Sequence, residues 1–191
     1  MKDRIIQEVL DSAQVKKLIS EDISLIKQIE DCSVNCINSL RKGGKIIFCG
    51  NGGSFSDSQH LSAELTGRYM KDRDPLASIA LGTNTSSMSA IGNDYGYQYS
   101  FSRELEAIAR DDDFLIAITT SGNSKNIIEV LDKAKSLSIR SVVLTGNDGG
   151  KVAKTAECII VPSESTARIQ ESHIMIGQII CGIIEDTMFP S

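Results

Sequence analysis

The stretch Ile46-Ile47-Phe48-Cys49-Gly50-Asn51-Gly52-Gly53-Ser54 decides the fold: an apolar strand runs into a Gly-rich loop, and a helix follows. Working outward, short apolar runs recur at Ala77–Leu81, Phe114–Thr119, Ser141–Thr145 and Cys158–Val161. With Lys45–Cys49 they make five candidate strands, each near-continuously apolar, as expected of strands buried on both faces. Helical patterns fill the intervals at 55–70, 84–92, 99–110 and 124–137, with a short one at 150–155. Strands alternating with helices predict an α/β fold with a parallel, doubly wound sheet. Upstream, residues 2–41 read as two helices broken near Ser20 and closed by Gly43-Gly44. Downstream, a last helix over 165–188 carries Ile169, Ile174, Ile176, Ile179, Ile180, Ile183 and Ile184. So much apolar surface at both ends predicts either helices that pack between subunits, the favoured reading, or a larger core within the chain.

In parallel α/β sheets, ligands sit at the carboxyl ends of the strands. Glycines there let the backbone approach an anion, and a helix N-terminus offers unpaired N–H groups. The spacing around Gly50 is neither the G-x-G-x-x-G of dinucleotide sites nor a P-loop. A second loop repeats the logic, because Phe114–Ile118 ends in Thr119-Thr120-Ser121-Gly122-Asn123-Ser124. These hydroxyls can surround a phosphate with neutral donors, or simply cap the following helix. Two such loops in one sheet point to a phosphorylated ligand. On the helix after the first loop, His60 and Glu64 share one face. Such a pair can be an ordinary surface contact, move protons on a sugar carbon, or bind a metal. Gln170 can hydrogen-bond a sugar hydroxyl or offer its oxygen to a metal, and His173 can titrate near neutral pH or simply pack in the helix beside Gln170, the commoner role.

Composition excludes several classes. Net charge is −5, with no dense Lys/Arg run, which argues against nucleic-acid or membrane-surface binding. No apolar run approaches the ~20 residues that span a bilayer. The start, MKDRIIQEVL, mixes charge into its first turns and lacks a signal-peptide core, so cytoplasm is the expected compartment. Five scattered cysteines argue against a disulfide framework, and Cys32 and Cys36, one helical turn apart, read as buried thiols.

Along essentially its whole length the chain resembles the phosphoheptose isomerases of the sugar isomerase (SIS) domain family. The segments that carry this are 49–69 (CGNGGSFSDSQHLSAELTGRY), 89–107, 118–135 (ITTSGNSKNIIEVLDKAK), 142–151 (VVLTGNDGGK) and 167–173 (ARIQESH). The resemblance implies one SIS domain over 1–191, with a five-stranded parallel sheet flanked by helices. It also implies an N-terminal helical extension, 1–41, packing in a homotetramer whose active sites lie between subunits. The implied reaction converts sedoheptulose 7-phosphate to D-glycero-D-manno-heptose 7-phosphate, toward the heptoses of lipopolysaccharide or capsule. Carried across residue by residue, Asn51, Gly52, Gly53, Ser54, Asn93, Asp94, Thr119, Thr120, Ser121, Ser124 and Gln170 would contact substrate. Glu64 would move the proton between C1 and C2, and His60, Glu64 and Gln170 match zinc ligands.

The chain departs from the family pattern at Gln178, where the family has a histidine serving as metal ligand and second acid/base. A glutamine exchanges no proton near pH 7 and coordinates only weakly through its oxygen. Along a straight helix Gln170 and Gln178 stand about 12 Å apart. Candidates for the second proton carrier are His173, Asp94 or a water. Some related SIS proteins are non-catalytic partners of the bacterial replication initiator. The missing histidine and the ending Glu185-Asp186-Thr187-Met188-Phe189-Pro190 lean that way, whereas the presence of Glu64 favours the enzyme.

Overall fold

The computed structural model describes residues 1–190. Helices α1 (Lys2–Glu21) and α2 (Ile23–Arg41) precede β1 (Ile46–Gly50), α3 (Gly53–Thr66), β2 (Ser78–Ala80), α4 (Thr85–Asp94) and α5 (Ser100–Ile108). Then come β3 (Phe114–Ile118), α6 (Lys125–Ser136), β4 (Arg140–Gly146), β5 (Glu157–Val161) and α7 (Thr166–Met188). All strand pairs are parallel, in the order β2-β1-β3-β4-β5. The chain moves outward one way from β1 to β2 and the other way from β3. The topological switch point therefore lies between the carboxyl ends of β1 and β3, where Gly50 pairs with Ile118.

Alternation along the strands sorts the core into two layers. Ile46, Phe48, Ile116 and Leu144 pack under α2, α3 and α7, while Ile47, Cys49, Leu115 and Val143 pack under α5 and α6. Burial on both faces holds for β1 and β3 and for Val142–Gly146 of β4. The outer strands differ from expectation: β2 is only three residues long, and in β5 Glu157 is exposed while Cys158 and Ile160 are half-buried. Each has a neighbour on one side only, so its outer flank meets solvent. The predicted break between the first helices falls at Asp22, whose carboxylate accepts from the Ser24 and Leu25 amides at 2.9 and 3.0 Å. This is an N-cap, and it starts α2 afresh. The predicted 150–155 helix is a single 3₁₀ turn at Val152–Lys154.

The terminal helices are half-used within one chain. Only Val15 and Ile19 of α1 are buried, whereas Ile5, Ile6, Val9 and Leu10 are exposed. On α7, Ile169, Ile176, Ile180 and Ile184 face the core, but Ile179 and Ile183 do not. No helix among the described residues is long and apolar enough to cross a membrane.

Candidate active site

The first loop turns because three glycines permit it. A Cβ on Gly50 would overlap the backbone of Ser54, and Gly52 holds φ +57°. Gly52 precedes α3 without a side-chain cap; the Ser54 and Phe55 amides donate to the Asn51 and Gly52 carbonyls at 3.0 and 3.1 Å, which leaves the Gly53 N–H and the Ser54 hydroxyl as the donors this turn can offer an anion. A Cβ on Gly53 would overlap the Gln170 amide, so a bare backbone here lets α7 lay that amide on the loop. The second loop opens α6 in the same way. Ser124 is the N-cap residue yet makes no side-chain cap bond; its hydroxyl lies 3.5 Å from that of Thr119. Simple capping is therefore not what Ser124 does. The loop is braced from behind: the Val152 amide donates to the Gly122 carbonyl, and the Lys151 amide donates to the Asn123 side chain. Thr120 and Ser121 complete the rim of this turn.

Asn51, expected to contact substrate, has protein partners of its own. Its amide forms a reciprocal pair with Asn126 at 2.9 and 2.8 Å, and its oxygen also accepts from the Tyr97 hydroxyl at 2.9 Å. The side chain thus locks the two loops and the 97–99 turn together. Asn126 and Tyr97 escaped the sequence reading; the one signal was a second amide two residues after Ser124, in a helix's first turn.

His60 and Glu64 meet as their spacing predicts, with Nε2 and Oε1 2.8 Å apart; the Glu64 side chain is 20% exposed and that of His60 53%. Glu64 also lies near α7: the Cys181 thiol is pushed up to about 12 by burial and by the Glu64 charge. One turn earlier, an Asp57 oxygen is buried without a partner, and burial raises that carboxyl while His60 opposes the rise. The pair is not beside its own first loop, because α3 separates Gly53 from Glu64 by about 16 Å along its axis. Asn93 and Asp94, joined at 2.8 Å, line an open hollow with Thr85, Ser86, Ser89 and Ala90, and no loop residue lines it. One chain lays Gln170 on the first loop and ties that loop to α6 through Asn51 and Asn126; Glu64 stands about 16 Å further along α3, and Asn93 and Asp94 open on a separate hollow.

His173 is no acid/base for this site. It is fully buried, and its Nε2 pairs with the Thr145 carbonyl at 3.1 Å. Burial lowers its pKa to about 4 from 6.5, against the opposing pull of that carbonyl. Between these values the unfolded chain binds more protons than the folded one, so stability falls as pH drops from 6.5 toward 4. The expected loss is about 3 kcal/mol. Equilibrium urea unfolding from pH 7 to pH 4 measures it. A His173→Gln variant, which cannot titrate, removes this part of the slope.

The family's zinc set does not fit these residues. Zinc sites take imidazole, thiolate or carboxylate donors, usually three or four. Here His60 and Glu64 supply two, and Gln170 and Gln178 offer only amide oxygens. Gln170 packs on Gly53, while Gly177, beside Gln178, packs on Leu61 further along α3. The two amides therefore sit at different levels of the α3–α7 contact. Among the described residues no group of three or more His, Cys, Asp or Glu side chains is placed to hold a metal.

A parallel α/β sheet with two uncapped, hydroxyl-lined turns at its switch point defines a sugar-phosphate-binding class, and the comparisons agree. A family model described as the SIS domain matches residues 12–146. The phosphoheptose isomerase of Sulfurimonas denitrificans is 50% identical over 190 residues, covering 99% of this chain and 97% of that one. That of Aneurinibacillus thermoaerophilus is 47% identical over 190 residues, covering 99% and 96%. The solved structure of phosphoheptose isomerase GmhA from Neisseria gonorrhoeae superposes with a TM-score of 0.90 at 38% identity, covering 97% of this chain and 98% of that one. The chain belongs to the phosphoheptose isomerase family of SIS-domain proteins.

Proposed function

We propose that the protein interconverts sedoheptulose 7-phosphate and D-glycero-D-manno-heptose 7-phosphate through an enediol, in the cytoplasm, for surface-glycan heptose synthesis. The observation that carries this reading is the pair of uncapped loops at the switch point. Their neutral N–H and O–H groups, from Gly52, Gly53, Ser54, Thr119, Thr120, Ser121 and Ser124, suit a phosphate ester. Glu64 takes the C1 proton and returns it to C2. The O1 and O2 protons need a second carrier, and with His173 buried the candidates are Asp94 and a water. Non-catalytic partnership with a replication initiator is not favoured, since Glu64 is present and the relatives are named as isomerases. Incubation with sedoheptulose 7-phosphate, with and without added zinc, tests the reading; absence of aldose product in both would overturn it.

One SIS domain, 1–191, assembles as a homotetramer, with helices 1–41 and α7 at the interfaces. The exposed Ile5, Ile6, Val9, Leu10, Ile179 and Ile183 support this, because a lone chain leaves them in water. Assembly also closes the gap of about 16 Å along α3 by bringing a second subunit's loops, and its Asn93 and Asp94, toward Glu64. Native mass spectrometry should give four chains per particle, and a monomer at micromolar concentration would contradict it.

Turnover here does not depend on stoichiometric zinc. Freshly purified protein should hold less than one zinc per chain, and a chelator should leave its activity intact. Gln178→His adds an imidazole to the set that the family uses, and elemental analysis should then find tightly held zinc. A parent protein that retains one zinc per chain through dialysis would refute this account.

A further inference from the structure

Helix α3 carries Glu64 in its last turn and has no basic residue there to meet its C-terminal carbonyls. Those carbonyls are instead met from outside by one side chain. Arg73 Nη2 donates to the Glu64 carbonyl at 2.8 Å, and Nη1 donates to those of Leu65 and Gly67 at 2.8 and 3.2 Å. The same nitrogen reaches the Asp74 carbonyl at 3.0 Å, and Nε donates to Glu185 at 3.0 Å. The two charged side chains are 2% and 1% exposed. Glu185 in turn accepts from the amides of Tyr69, Met70 and Lys71 at 3.1, 2.7 and 2.9 Å. An acid near a helix C-terminus opposes that helix's own dipole. Glu185 therefore serves the 69–73 segment rather than α7. The pair joins the end of α3 to the end of α7, the helix that also carries Gln170 and Gln178.

We propose that Arg73 and Glu185 are positioning residues for the isomerisation: their buried ion pair fixes the last turn of α3 against α7 and so aims the Glu64 carboxylate. This rests on Glu64 being the proton carrier. Neither side chain touches substrate. Arg73 grips the Glu64 main chain directly, so a small slip of that turn moves the carboxylate without disturbing the phosphate loops three turns away. Misplacement by about 1 Å can cost around a hundredfold in rate.

The test compares Glu185→Gln and Arg73→Lys with the parent, assayed well below their unfolding temperatures with inorganic phosphate as a competitive inhibitor. In both variants kcat should fall at least tenfold, while KM and phosphate inhibition stay within twofold. Asp113→Asn is the control, because buried Asp113 and its partner, half-buried Lys45, lie at the amino end of the sheet, away from Glu64. It should lower the unfolding temperature yet leave kcat unchanged. If Glu185→Gln does not fold, Arg73→Lys, which keeps the positive charge, reads the same quantities. Parent-like kcat in a folded clamp variant overturns the proposal, as does an equal loss in Asp113→Asn. A Glu64→Gln protein assayed alongside separates the two ideas. If it is inactive while the clamp variants are normal, only the clamp role fails; if it is active, the proton-carrier reading fails and takes the clamp role with it.

Discussion

Glu64→Gln should lower kcat by about 10²–10⁴-fold, the usual worth of a positioned general base, and leave KM for the sugar phosphate nearly unchanged. The substitution is close to isosteric. The glutamine oxygen can still accept from His60 Nε2, which meets Glu64 at 2.8 Å, so the local geometry survives. Only the ability to take and return a proton is lost, since an amide does neither near pH 7. The loops proposed to grip the phosphate lie in other segments, so binding should persist while turnover stops. Stopped-assay kinetics paired with calorimetric binding of sedoheptulose 7-phosphate read the two quantities separately. A Glu64→Gln protein of undiminished kcat would remove this side chain from the chemistry.

Gly122→Ala should have an effect of comparable size on the other parameter. Gly122 sits at φ +64°, where an L-residue is strained, and a Cβ there would overlap the carbonyl of Gly149. That obstacle is backbone, so it cannot swing aside as a side-chain tip would. The 119–124 turn and the 146–152 segment must part, which breaks the hydrogen bond that the Val152 N–H donates to the Gly122 carbonyl. Backbone strain of this kind costs about 1–3 kcal/mol, which thermal unfolding will register. On the proposed reading the turn also loses its aim at the phosphate. Losing one hydrogen bond to a charged group, about 1.5–3 kcal/mol, raises KM at least tenfold. Unchanged KM in a folded Gly122→Ala protein would mean that this turn does not hold the ester.

The sheet was legible in the sequence because its signals are local. Ile46–Gly50 and Phe114–Ile118 announce themselves as apolar runs ending in small polar residues, and the pattern needs no knowledge of what packs on them. The His60–Glu64 pair was legible for the same reason, being one turn of helix. What depended on distant partners was not. Nothing in the sequence ties Asn51 to Asn126, 75 residues away, or Arg73 to Glu185, 112 residues away. The tail from Glu185 looked like a feature of the adaptor class until its first carboxylate proved to be inside the protein. For His173 the sequence allows both titration and packing, because composition does not reveal burial; the structure selects packing, with Nε2 against the Thr145 carbonyl.

The loops at the switch point hold no lysine or arginine, so the grip on the ester owes little to opposite charges. Ionic strength, which weakens exposed ion pairs, should then scarcely loosen the bound sugar. A chain of net charge −5 repels a dianionic ligand from afar, and added salt mutes that repulsion. Capture of substrate from dilute solution should quicken as the medium grows saltier, the reverse of what a lysine-lined pocket would do.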